Sequence, residues 1–113
     1  MKRLIIAVAL LCTPAFGQEQ SGMALNELCR GHAKGSGDVA CGAYLRGFFD
    51  GVAMANGGNA ADVRICFPDG VTLRQVRLVV EKYLADNPDK LNQDASKLAF
   101  AALYLAFPCK PSN

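Results

Sequence analysis

Histidine is almost missing from this 113-residue chain: His32 is the single one, and it lies in a glycine-rich stretch. A nucleophilic Cys–His pair would have to join His32 to Cys29, and a cysteine held in a disulfide has no thiolate to offer. There is no Gly-x-Ser-x-Gly elbow and no loop of the kind that cradles phosphates. A Cys-x-x-Cys redox pair is also absent. Cys29 and His32 have the spacing of half a zinc site, but no second ligand pair of that kind follows. The acidic residues are scattered over loops and helix edges. Asp50 stands out among Gly47, Phe48, Phe49, Gly51 and Val52, yet Arg46 lies one helical turn before it and supplies an ordinary partner. These absences leave no site for catalysis, for a metal or for a cofactor, and the expectation is a protein that binds rather than one that turns over a substrate.

What is present begins at the first residue. Lys2 and Arg3 precede an unbroken apolar run from Leu4 to Leu11, and Pro14 leads to Ala15-Phe16-Gly17, small at its first and last positions. That is the layout of a secretory signal peptide cleaved after Gly17, so residues 1–17 read as a leader and 18–113 as one domain. The apolar run is far shorter than the roughly 20 residues a membrane span needs, and no later charge-free stretch reaches that length. Cys12 is not read as a lipidation site, because Leu11 fills a position that needs a small residue. Without Lys2 and Arg3 the twelve basic residues fall to ten, against ten acidic ones. A neutral domain has no electrostatic footprint for nucleic acid or for an anionic membrane. The expected location is the bacterial periplasm, with no membrane anchor after cleavage.

Export also explains the cysteines. Beyond the leader they number four, Cys29, Cys41, Cys66 and Cys109, and an even set in a small exported domain reads as two disulfides. A helical pattern narrows their three connectivities. Met23 to Cys29 reads as a short first helix after a polar lead-in. A second runs from about Val39 to Asn56, with Tyr44, Leu45, Phe48, Phe49, Val52 and Ala53 as its buried stripe. Gly47 and Gly51 on it suggest a close contact with another helix. Thr72 and Gln75 fit a capping box and open a third helix. Its inward face carries Leu73, Val76, Val79, Val80, Tyr83 and Leu84, while Arg74, Arg77, Glu81 and Lys82 point outward. Asn87-Pro88 ends it, and Asn87 is placed to cap a short turn over Asp89 to Leu91. The last helix spans roughly Gln93 to Phe107 and is uncharged from Leu98 onward, which suggests a central place in the core, the alternative being part of an interface. The third and fourth helices, joined by a short connection, run antiparallel. This brings Cys66 to Cys109 and leaves Cys29 with Cys41. Chain entropy puts the Cys29–Cys41 bridge at about 3 kcal/mol of stabilisation and Cys66–Cys109 at about 4 kcal/mol. No period-two pattern competes, and the fold class is all-α, a small disulfide-stapled bundle of about four helices.

The motifs occur in a specific order. Cys41-x-x-Tyr44-Leu45-x-Gly47-x-x-Asp50-Gly51 is followed by Cys66-Phe67-Pro68, then by Val71-Thr72-x-x-Gln75 leading to Tyr83-Leu84 and Pro88, and the chain closes on Ala101-Ala102-Leu103-x-x-Ala106-Phe107-Pro108-Cys109. In this order, from about Leu25 to Cys109, the chain resembles the Rap/Tai family of type VI secretion immunity proteins. The resemblance implies a periplasmic helical domain whose partner is a cognate secreted effector protein, often a peptidoglycan amidase, blocked at its active site without turnover. It also implies a homodimer, the state of some members. Family motifs of this kind keep the fold, so recognition is expected from exposed loops. The candidates are Asn56, Asn59, Asp62 and Arg64 in the loop after the second helix, and Asp86, Asn87, Asp89 and Lys90 before the fourth. Two rival readings share the size, export and staples: a small periplasmic stress chaperone and an inhibitor of envelope hydrolases.

Overall fold

The computed structural model describes residues 20–30, 36–57 and 64–110; residues 1–17, read above as a leader, His32 and most of the loop after the second helix lie outside them. Among the described residues there are four α-helices: α1 (Gly22–Cys29), α2 (Ser36–Gly57), α3 (Leu73–Asp86) and α4 (Ala95–Ala106), with a 3-10 turn at Pro88–Lys90. There is no strand among them, only two isolated bridges, Ser21 with Asp94 and Ile65 with Pro108. The all-α, disulfide-stapled bundle of four helices is therefore the fold.

α3 forms where the capping box predicts it. The Gln75 N–H donates to Thr72 Oγ1 at 3.2 Å and the Thr72 N–H donates to Gln75 Oε1 at 3.0 Å, which satisfies donors that a helix start otherwise leaves open. Gly70, at φ 81°, makes the turn before it, a conformation that suits glycine. Val76, Val80 and Leu84, spaced by four, are buried to 1% exposure or less and form the centre of the core. They meet Leu25 and Cys29 from α1, Cys41, Leu45 and Val52 from α2, and Leu98, Ala102 and Leu103 from α4.

The N-terminal lead-in is more ordered than its polar composition suggests. Ser21 Oγ accepts from the Ala24 N–H and caps α1. The Gly22 and Met23 N–H groups donate to Gln93 O and Leu91 O at 2.7 and 2.8 Å, and Ala95 N–H donates to Gln20 O at 2.6 Å. The start of α1 is thereby sewn to the start of α4.

Five expectations need correction. α4 is not central: Ala95, Leu98, Ala99, Ala102 and Leu103 are buried against α1 and α3, but Leu105 is 68% exposed and Tyr104 42%. α4 packs on α1 and α3 along one side, so its uncharged stretch from Leu98 leaves the other side open. Gly47 and Gly51 mark no helix contact, since nothing lies within 4 Å of a Cβ built on either. They are exposed on the face of α2 opposite Leu45, and Ala53, expected in the buried stripe, is exposed at the stripe's edge. Arg77 and Glu81 do not point away. Half-buried and paired at 2.9 Å, they tie α3 to α1 as Arg77 Nη2 donates to Cys29 O at 3.4 Å. Asn87 makes no side-chain cap on the 3-10 turn; its Nδ2 donates back to Tyr83 O at 2.8 Å and closes α3 instead.

The disulfides join Cys29 to Cys41 and Cys66 to Cys109, the pairing the antiparallel helices favour. They differ in setting. Both sulfurs of the first belong to fully buried residues, whereas Cys66 is exposed and Cys109 half-exposed. Around the second bridge the Cys66 N–H donates to Phe107 O at 2.9 Å, and the Phe67 ring packs, tilted, between Phe49 and Phe107 at centroid distances of 4.6 and 5.3 Å.

Candidate partner-binding surface

Of the residues expected to recognise a partner, Asp86, Asn87, Asp89 and Lys90 lie at one end of the α3–α4 hairpin and Arg64 at the other. At one end, Asp86, Asn87, Asp89 and Lys90 come together within the connection. Asp86 is exposed at the last turn of α3 and holds Lys82 at 2.6 Å. Asn87 is half-buried by its bond to Tyr83, and its carbonyl accepts from Lys90 N–H at 3.1 Å. Lys90 lies over the Tyr83 ring, 5.9 Å from its centroid, and Asp89 faces solvent with no partner among the described residues. The connection is thus a braced knuckle, with Asp89 its freest charge.

Arg64 stands at the other end, exposed, two residues before Cys66. Asn56 falls in the last turn of α2, where its side chain is not described, and Asn59 and Asp62 lie outside the described residues. Asp50, singled out by its apolar neighbours, is exposed and bound to Arg46 Nε at 3.0 Å. An exposed pair of this kind contributes little, and its role is that of a surface pair.

A feature that periodicity alone did not reveal lies between α2 and α3. An open groove of about 390 Å³ is lined by Gly42 and Leu45 on one side and Leu73, Arg74, Arg77, Leu78 and Glu81 on the other. Its floor is apolar, and Leu78 at its rim is 54% exposed. Arg77 and Glu81 satisfy one another, which leaves Arg74 as the unpaired charge there among the described residues. The signal was present in the sequence: Leu78 breaks the inward stripe of α3 while sitting four residues from Arg74, and Gly42 removes a side chain facing it.

Chemically the surface is quiet. The Tyr44 hydroxyl is pushed above the usual phenol range by burial. Among the described residues no three His, Cys, Asp or Glu side chains gather where they would hold a metal, and no helix is long and apolar enough to cross a membrane. The arrangement offers polar loops, an apolar groove and a rigid frame, which are means of binding a macromolecule.

Neither a curated protein nor a solved structure matches the chain. A family model does, that of the Rap1a immunity proteins, over residues 21–109. That span takes in all four helices, both disulfides, the braced knuckle and the groove, and the chain belongs to the Rap1a family of immunity proteins.

Proposed function

We propose that this protein is a periplasmic immunity protein that binds a type VI secretion effector and blocks it sterically. Family membership across residues 21–109 carries the reading. Two disulfides in so small a domain fit an oxidising compartment, and the leader-like residues 1–17 fit export. The effector class is a peptidoglycan-cleaving amidase, whose cleft takes in a projecting polar loop. In this reading the loop bearing Asp86, Asn87, Asp89 and Lys90 supplies hydrogen-bonding groups to that cleft. Asn56, Asn59, Asp62 and Arg64 contribute a second contact. The protein acts as a homodimer, with no cofactor and no turnover.

The test is a contact-dependent competition between the parent strain and a derivative lacking this protein. The expected outcome is that the derivative dies only when the parent's secretion apparatus works, and that the exported protein restores survival. Survival of the unprotected derivative beside an active parent would sink the reading.

A further inference from the structure

The groove between α2 and α3 has the makings of a second recognition site, away from the polar loops. Its walls are the aliphatic side chains of Leu45 on α2 and of Leu73 and Leu78 on α3, and Gly42, on the α2 side, leaves the space open, since a Cβ at that position meets nothing within 4 Å. An exposed leucine beside an apolar floor is ordinary when isolated, but this one edges a concave surface large enough for one or two side chains. Charge at the rim says what kind of partner fits. Arg77 is neutralised by Glu81 at 2.9 Å, and Arg46, on the same helix as Gly42, by Asp50 at 3.0 Å. Arg74, exposed in the first turn of α3, has no such partner among the described residues. Its guanidinium therefore remains available for a planar anion.

We propose that this groove receives a segment of the effector in which a bulky apolar side chain is flanked by a carboxylate. The side chain fills the space over Gly42 and Leu45, and the carboxylate pairs with Arg74. This rests on the immunity reading and adds to it: the polar knuckle meets the effector's cleft while the groove grips the surface beside it. An apolar anchor in a pocket with an arginine at its edge is the composition that concentrates binding energy in protein interfaces.

The experiment complements the derivative lacking this protein with the wild type, Gly42→Leu, Arg74→Glu and, as a control on α4, Ser96→Ala, and competes each against the parent strain. Gly42→Leu fills the groove from its own wall. Because it removes a glycine from a helix interior and its Cβ meets no atom, its melting temperature should equal or exceed that of the wild type. The expected result is full survival with wild type and Ser96→Ala, and loss of survival to the level of the unprotected derivative with Gly42→Leu and Arg74→Glu, at equal exported amounts. Survival with all four proteins overturns the groove and leaves the immunity reading standing. Failure of the wild type itself to protect, or no killing of the derivative, removes the immunity reading and the groove with it. The same holds for the groove if Gly42→Leu loses protection only because it melts below the wild type and Arg74→Glu still protects.

Discussion

A methyl group at Gly22 would overlap Leu98 Cδ1 and stand 3.1 Å from Leu91 O and 3.2 Å from Leu91 Cα. Leu98 is buried and the Leu91 carbonyl is already bonded to Met23, so neither yields easily. Gly22→Ala is expected to cost about 1–3 kcal/mol of stability, measured as a shift of the urea midpoint at unchanged slope. The glycine is plain in the sequence, but its necessity comes from a neighbour about seventy residues away in the chain. Tyr44 gives a prediction in pH. Its folded titration lies above the usual phenol range because burial penalises the phenolate. The folded state then holds its proton more tightly than the unfolded chain. The associated stability is intact below the unfolded value and is lost as pH rises through the folded one. Alkaline melts of the wild type should fall more steeply above that value than those of Tyr44→Phe; parallel curves would show that Tyr44 is not the group responsible.

At the scale of elements, the two staples should respond differently to a reductant. Cys29 and Cys41 are sealed in the core, while Cys66 faces solvent, and thiol–disulfide exchange needs access to a sulfur. Under a graded small dithiol at neutral pH, alkylation followed by mass spectrometry should find Cys66 and Cys109 labelled first, with helical content retained. Simultaneous labelling of all four would show that access does not govern the order. Cys66→Ser or Cys109→Ser should lower the melting temperature more than Lys97→Ala does, because the bridge closes a 43-residue separation and is worth about 4 kcal/mol in the entropic account. α4 sets the same contrast along one helix. Leu103→Ala, at a fully buried position, is expected to cost about 2–5 kcal/mol. Leu105→Ala, two residues on and 68% exposed, should stay within about 0.5 kcal/mol of the wild type. The sequence marks both leucines as apolar and cannot tell them apart, because the stretch from Leu98 onward carries no charge to mark an outward face.

For the whole molecule the prediction concerns the knuckle between α3 and α4. Its frame is local, built from the Asn87–Tyr83 bond, the Lys90–Tyr83 contact and the Lys82–Asp86 pair, so a change at Asp89 should leave the fold alone. In the immunity reading, Asp89→Ala weakens protection in competition while its melting temperature stays within error of the wild type. Undiminished protection would remove Asp89 from the contact. Light scattering of the purified protein tests the homodimer, with a monomer mass at micromolar concentration counting against it.

Much of this protein follows from the order of its residues alone. Thr72 and Gln75 set the start of α3 because their bonds span only three positions, and Asn87-Pro88 ends it by the geometry of proline. The spacing of Val76, Val80 and Leu84 picks the buried face by helical period. An even set of cysteines in helices of known order allows the bridges to be paired. Only the tertiary structure decided which side of α4 faces water, why Gly22 must be glycine, that Gly47 and Gly51 touch no helix, and that Gly42 and Leu78 border one groove. Each of these depends on which surfaces meet, and four helices on a chain this short leave several apolar surfaces unmatched. Local patterns record what a residue prefers; packing determines whether a neighbour is there to satisfy it.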